Sequence, residues 1–178
     1  MFRQQLLILW GLSIIIDHQL QKNDMIKFIF SLVALAVCTL GLSAQSSVQS
    51  ALDKKDYRSV QKMGKEVNQA FETEGMTITP LSYAALKGDA EMVSLLLKKG
   101  ASASQTAGGF DALMHAARGG NSECVDLILA AGVKVTNESK DGLTARDYAV
   151  QAGHTDIAVK LDKLMNAEIE KMRAARKK

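Results

Sequence analysis

The stretch "SYAALKGDAEMVSLLLKKGA", Ser82 to Ala101, decides how this chain is read. Read as one amphipathic helix, it carries a glycine at its centre, which costs roughly 0.5–1 kcal/mol relative to alanine. Read as two helices, Gly88 ends the first and Asp89 opens the turn into the second. Recurrence separates the readings. "TPLSYAALKGDAEMVSLLLKKGA" (Thr79–Ala101) lies over "DALMHAARGGNSECVDLILAAGV" (Asp111–Val133) with a shift of 32. That segment in turn lies over "TARDYAVQAGHTDIAVKLDKLMN" (Thr144–Asn166) with a shift of 33. Gly88, Gly120 and Gly153 share a column, as do Ala84, Ala116 and Ala149, and Leu96, Ile128 and Leu161.

Self-similarity at such a period is the signature of stacked repeats. The period extends backwards into "SALDKKDYRSVQKMGKEVNQA" (Ser50–Ala70), which sets Ala51 under Ala84, Asp56 under Asp89 and Val60 under Val93. This first unit is shorter and more polar, as a terminal repeat must be when one face lacks a neighbour.

With their columns in place, these segments resemble the ankyrin repeat family. The carriers are "TPLSYAALKGDAEMVSLLLKKGA", "ALMHAARGGNSECVDLILAAGV" and "DGLTARDYAVQAGHTDIAV". They stand against a family pattern of a T-P-L-H-x-A-A segment, a G-H or G-N/D turn, a V-x-L-L-L run and a G-A loop. The resemblance covers residues 50–166. It implies an all-α solenoid of about four helix-turn-helix repeats, with short β-hairpin finger loops and degenerate terminal caps. The family's histidine is replaced by Ser82, Met114 and Asp147, and proline occurs only as Pro80, which weakens a local hydrogen-bonding device.

Local physics supports the same division. Thr79, Asp111 and Thr144 each precede a helical segment, where a side-chain oxygen can accept from free backbone N–H groups. Pro80 fits the first helical position because its missing N–H is not needed there. Each first helix is about nine residues and rich in alanine, too short to stand alone, so it depends on packing. Met92, Val93, Leu95, Leu96 and Leu97, with Cys124, Val125, Leu127, Ile128 and Leu129, give the second helices apolar faces at helical spacing. The segments "SASQTAGGF" and "KVTNESKDGL" suit extended loops.

The N-terminal region differs in kind. From Met25 it reads "MIKFIFSLVALAVCTLGLSAQSS", with Lys27, an apolar run Phe28–Leu42, and small polar residues after it. That is the layout of a secretory signal peptide, with cleavage expected after Ala44, although Leu42 is larger than the pattern prefers. The apolar run is about 15 residues, short of the roughly 20 a spanning helix needs. Four alternatives remain open: an uncleaved membrane anchor, a lipoprotein modified at Cys38, a true start at Met25 with residues 1–24 a mis-called extension, and an anchor hairpin that also uses the second apolar run, Leu6–Ile16. The expected organisation is therefore 25–44 signal peptide, 45–75 degenerate N-terminal repeat, and ankyrin repeats at 76–108, 109–140 and 141–168. A basic helical tail, 169–178, follows.

Composition bounds the function. Apolar content of 47% and charged content of 23% suit a globular chain, and a net charge of +3 is too small to imply nucleic acid. After cleavage Cys124 stands alone, so no disulfide framework is expected, and its apolar setting suggests a small buried hydrophobe. His115 and Cys124 have no further ligands at zinc spacing, and no phosphate-cradling or nucleophile-elbow pattern occurs. No metal, cofactor or catalytic residue is expected. His154 fills the family's turn position and suggests a structural hydrogen bond, whereas Tyr83, His115 and Tyr148 share a column expected to stack as a packing and polar ladder.

The resemblance implies a non-catalytic, monomeric scaffold that binds another protein through its fingers and first-helix face. The family's usual contact positions fall on Met76, Ile78, Leu86 and Lys87, then Gly108, Phe110, Arg118 and Gly119, then Lys140, Asp141, Leu143 and Gln151. Ile78, Phe110 and Leu143 are expected at finger tips, exposed for a partner or packed finger on finger. The leading expectation is an exported adaptor in a bacterial periplasm. An accessory factor for a periplasmic enzyme or its cofactor, using the Tyr83 column, and a membrane-tethered scaffold are the alternatives.

Overall fold

The computed structural model describes residues 48–176. The signal-peptide, lipidation and start-site expectations lie outside these residues, within the unit Met1–Ala44. The repeats belong to a separate compact unit, Gln45–Lys178. The described chain runs α1 (48–53), α2 (Tyr57–Lys62), a 3-10 turn (Lys65–Asn68), β1 (Phe71–Thr73) and β2 (Met76–Ile78). There follow α3 (Pro80–Leu86), α4 (Ala90–Lys98), α5 (Ala112–Gly119), α6 (Ser122–Ala130), α7 (Ala145–Gln151) and α8 (Thr155–Arg176). The architecture is the expected helix-turn-helix solenoid. First helices α3, α5 and α7 pack in sequence, and second helices α2, α4 and α6 form the layer behind them.

The caps show why the helices begin where they do. Thr79 accepts from the Ser82 N–H at 3.1 Å, and Asp111 accepts from the Met114 N–H at 3.0 Å. In α7 Thr144 keeps the N-cap position in a capping box, with the Asp147 carboxylate accepting from the Thr144 N–H at 2.9 Å and the Thr144 hydroxyl at 2.7 Å. These hydrogen bonds, led by the Thr144 N–H, hold the Asp147 carboxyl below the usual carboxylate range. The expected weakening at the family's histidine positions is therefore offset. Ser82 accepts from the Thr79 hydroxyl at 2.9 Å, and Asp111 also accepts from Asn137 at 3.0 Å.

The reversals between paired helices follow the glycine column. Gly88, Gly120 and Gly153 take φ of 70°, 79° and 82°, the left-handed region open to glycine at no steric cost. In the first unit the same column is occupied by Lys55, at φ 51°. Its turn is kept because Asp56 caps α2 through the Ser59 N–H at 3.1 Å and Lys55 reaches Asp89 at 3.3 Å.

The core lies between the layers and between repeats. Ala84, Ala85, Ala116, Ala117 and Ala149 are all buried, so the first helices approach closely. Gly119 carries this furthest: a Cβ there would lie 2.5 Å from the Leu86 carbonyl oxygen. Leu96, Ile128 and Leu161 have no exposure and fill the seam between repeats. Helix α8 passes through the expected boundary at 168 without a break. Its contribution to the core ends near Met165, and beyond that Met172 stands exposed.

Of the finger loops, one is a true hairpin. β1 and β2 pair antiparallel with Phe71 opposite Ile78 and Thr73 opposite Met76. The two residues between them, Glu74 and Gly75, have φ of 49° and 78°, as a tight hairpin turn of the right twist requires. The next two fingers are reduced to single bridges, Ala107 with Phe110 and Glu138 with Thr144.

Candidate protein-binding surface

Of the two arrangements expected for the apolar finger residues, the structure has the packed one. Ile78 has no exposure, because its pairing with Phe71 turns both side chains onto α3. Phe110 is half-buried, with its ring 5.5 Å from both the His115 and Tyr148 rings. Lys140 lies over it at 5.9 Å. Leu143 is half-buried against the core. These side chains pack finger on repeat: Ile78 against Phe71 within its own hairpin, and Phe110 against His115 and, from the next repeat, Tyr148.

The Tyr83, His115 and Tyr148 column is also arranged differently from the expected direct stack. Phenylalanines interleave with it: Phe71 meets Tyr83 edge-on at 5.6 Å, and Phe110 stands between His115 and Tyr148. All three column residues are buried. The Tyr83 hydroxyl donates to Asp53 at 2.6 Å, and its pKa is pushed up to about 12 by burial first and that carboxylate second. Tyr148 donates to the Ser139 hydroxyl at 2.9 Å. His115 has no partner for Nε2 among the described residues, and burial, aided by the Arg118 charge, lowers its pKa to about 4. Cys124 is fully buried, and burial raises its thiol to about 11, so it is no nucleophile at neutral pH. Among the described residues no three His, Cys, Asp or Glu side chains converge as metal ligands.

What remains outside is a row of polar side chains along the edge where first helices turn into second ones. Lys87 follows α3, Arg118 stands in the last turn of α5, and Gln151 ends α7; all three are exposed. Leu86 beside them is half-buried, as is Met76 on the hairpin, while Lys140 and Asp141 are exposed on the last finger. Gly108 packs its backbone toward Thr77, where a Cβ would meet the carbonyl at 2.9 Å. The expected contact set thus divides into an exposed row and a packed group, Ile78, Phe110 and Leu143.

The row is held rigidly by bonds between successive turns. Asn121 Nδ2 donates to the Gly88 carbonyl at 2.9 Å, and His154 Nε2 lies 3.2 Å from the Arg118 carbonyl. His154 therefore has the structural hydrogen bond that its turn position suggests.

Short loops and stacked helix-turn-helix units define a helical-repeat solenoid. The chain belongs to the ankyrin repeat family: it matches "Ankyrin repeats (3 copies)" over residues 48–139 and again over 81–172. Ankyrin repeats generally mediate protein–protein interaction.

Three relatives share the repeats. "Ankyrin repeat domain-containing protein 37" of Xenopus tropicalis is 34% identical over 101 residues, 56% of this chain and 61% of that protein. "Probable E3 ubiquitin-protein ligase XBOS33" of Oryza sativa subsp. japonica is 39% identical over 85 residues, 47% of this chain and 16% of that protein. "Ankyrin repeat and SAM domain-containing protein 6" of Rattus norvegicus is 38% identical over 80 residues, covering 44% and 9%. The chain thus spans less than two thirds of the length of each of these relatives.

Proposed function

We propose that this protein is a non-catalytic scaffold that acts after export and captures a protein partner along its exposed turn edge. The observation that carries the reading is the row Lys87, Arg118 and Gln151, exposed on successive repeats and locked in spacing by bonds between turns. A binding face needs such preorganisation, because ordering side chains on association costs free energy. Export is supported by the "MIKFIFSLVALAVCTLGLSA" layout before Gln45, and a bacterial periplasm is the destination proposed. The scaffold acts as a monomer.

Affinity capture from the producing cells, with the full chain as bait, tests the reading. The variant Arg118→Ala/Gln151→Ala should lose the partner and keep its melting temperature; retention by this folded variant would refute the face. Phe110→Ala is unsuitable for this purpose, because its ring supports His115 and Tyr148 and its loss would disturb the fold. N-terminal sequencing of the same material should find a chain starting at Gln45. A retained N-terminus would replace export by membrane tethering.

A further inference from the structure

We propose that the free end of α8 pairs antiparallel with the same helix of a second copy of this chain. The pairing goes beyond the protein-binding reading and does not depend on it. Capture along the turn edge needs one copy, and α8 joins two such scaffolds.

Helix α8 runs from Thr155 to Arg176, and its packing on the repeats ends near Met165. About 11 residues, or about 16 Å of helix, project beyond that point. A helical end this short has little stability of its own, so a neighbour packed against it stabilises it. Of the four exposed large apolar side chains among the described residues, two, Leu164 and Met172, lie on or beside this projection, at 41% and 46% exposure. With Ala167, Glu168, Lys171 and Ala175 they recur at three- and four-residue spacing, so the six share one side of the helix. Glu168 is half-buried and the other five are exposed.

The order of residues along this strip selects its occupant. From Leu164 it reads Leu, Ala, Glu, Lys, Met, Ala, and the six positions are symmetric about a midpoint between Ile169 and Glu170. A second α8 running the opposite way about that midpoint sets Leu164 against Ala175, Ala167 against Met172 and Glu168 against Lys171. A two-fold axis makes each contact twice. Large side chains then meet small ones, and acid meets base. A parallel copy in register instead sets Glu168 against Glu168 and Lys171 against Lys171, and like charges so placed repel. An anionic lipid surface would meet Glu168 in the middle of the strip, and a basic partner would meet Lys171. Among the described residues neither Glu168 nor Lys171 makes an ion pair, whereas Glu170 beside them is held by Arg173 at 2.7 Å. The overlap begins at Leu164, where α8 leaves its own repeat, so the two arrays lie at opposite ends of the pair. About 18 Å of paired helix is small beside a stable interface of about 1,200 Å² or more, so the association is weak and reversible.

Sedimentation equilibrium of the full chain, from about 5 µM to about 500 µM, should show monomers passing into dimers. Glu168→Lys sets a lysine against Lys171 of the other copy, and Lys171→Glu sets a glutamate against Glu168. Each variant alone should dimerise about tenfold more weakly, or less still. Mixed in equal amounts, the two variants regain both opposite-charge pairs and should form a mixed dimer about as readily as wild type. A folding defect cannot produce that rescue, and the wild-type measurement needs no variant. A wild-type chain that stays monomeric at about 500 µM overturns the proposal, whatever else then covers the strip. Association that the single variants leave unchanged, or that mixing fails to restore, overturns it as well. So does growth into trimers or longer chains, since a two-fold contact closes at two. Loss of dimers with Arg118-dependent capture intact leaves the binding reading standing, and loss of capture with dimers intact leaves the pairing standing.

Discussion

Replacing Gly119 by alanine inverts an ordinary rule. At an unconstrained helical position Gly→Ala stabilises by up to about 1 kcal/mol, through lower chain entropy in the unfolded state. At Gly119 the new Cβ would lie 2.5 Å from the Leu86 carbonyl oxygen, 2.7 Å from that of Ala85 and 2.9 Å from the Leu86 carbonyl carbon. All three neighbours are backbone, so no side chain can rotate aside. Ordinary carbon contacts need about 3.5 Å, so α5 would have to move away from α3 by up to about 1 Å. That movement opens a seam lined by Ala84, Ala85, Ala116 and Ala117, all buried. Overpacking of this kind costs roughly 1–3 kcal/mol, which exceeds the propensity gain. A net loss of about 1–2 kcal/mol should lower the melting temperature by several degrees, by the usual relation for domains of this size. Circular dichroism melts and urea titrations of Gly119→Ala would measure it, with Arg118→Ala as the exposed control on the same helix. A Gly119→Ala protein as stable as wild type would refute the close-packed seam and the repeat spacing inferred from it.

Leu96→Ala should cost roughly 2–5 kcal/mol, since Leu96 has no exposure and fills the seam between repeats; an unchanged urea midpoint would contradict the packing. Lys55→Gly should raise the melting temperature, because relief of the left-handed conformation at φ 51°, about 1–2 kcal/mol, outweighs added chain entropy and the lost Asp89 contact. A lower melting temperature would show that the Lys55–Asp89 pair dominates. His115, whose folded pKa is lowered from 6.5 to about 4, binds fewer protons in the folded state than in the unfolded one between these values. Stability should therefore be complete above about pH 6.5 and fall as pH drops toward 4. His115→Gln should flatten that slope in melts recorded across the window, and a slope identical to wild type would exclude His115 as its source.

The repeat was legible because its causes are local and recur. A glycine before a polar turn residue, Asp, Asn or His, and an apolar run after it, specify a helix reversal wherever they fall. Three copies at 32–33 residues then specify a stack, as Gly88, Gly120 and Gly153 bear out. The second-helix core was legible for the same reason: helical spacing alone places Val93, Leu96, Val125 and Ile128 inward. The part Asp147 plays in the α7 capping box was less visible, since the sequence reading rested on the threonine before the helix and not on the residue at its third position.

The surface divided differently. Ile78, Phe110 and Leu143 occupy family contact columns, yet they pack inward because the partners that cover them, Phe71 and α3 for Ile78, His115 and Tyr148 for Phe110, come from other elements of the array. The sequence alone determined the unit, its turns and its count, since hydrogen bonding and hydrophobic period act within a few residues along the chain. Only the tertiary structure decided which side chains are left for a partner. Exposure at one repeat depends on the size and direction of side chains in the next.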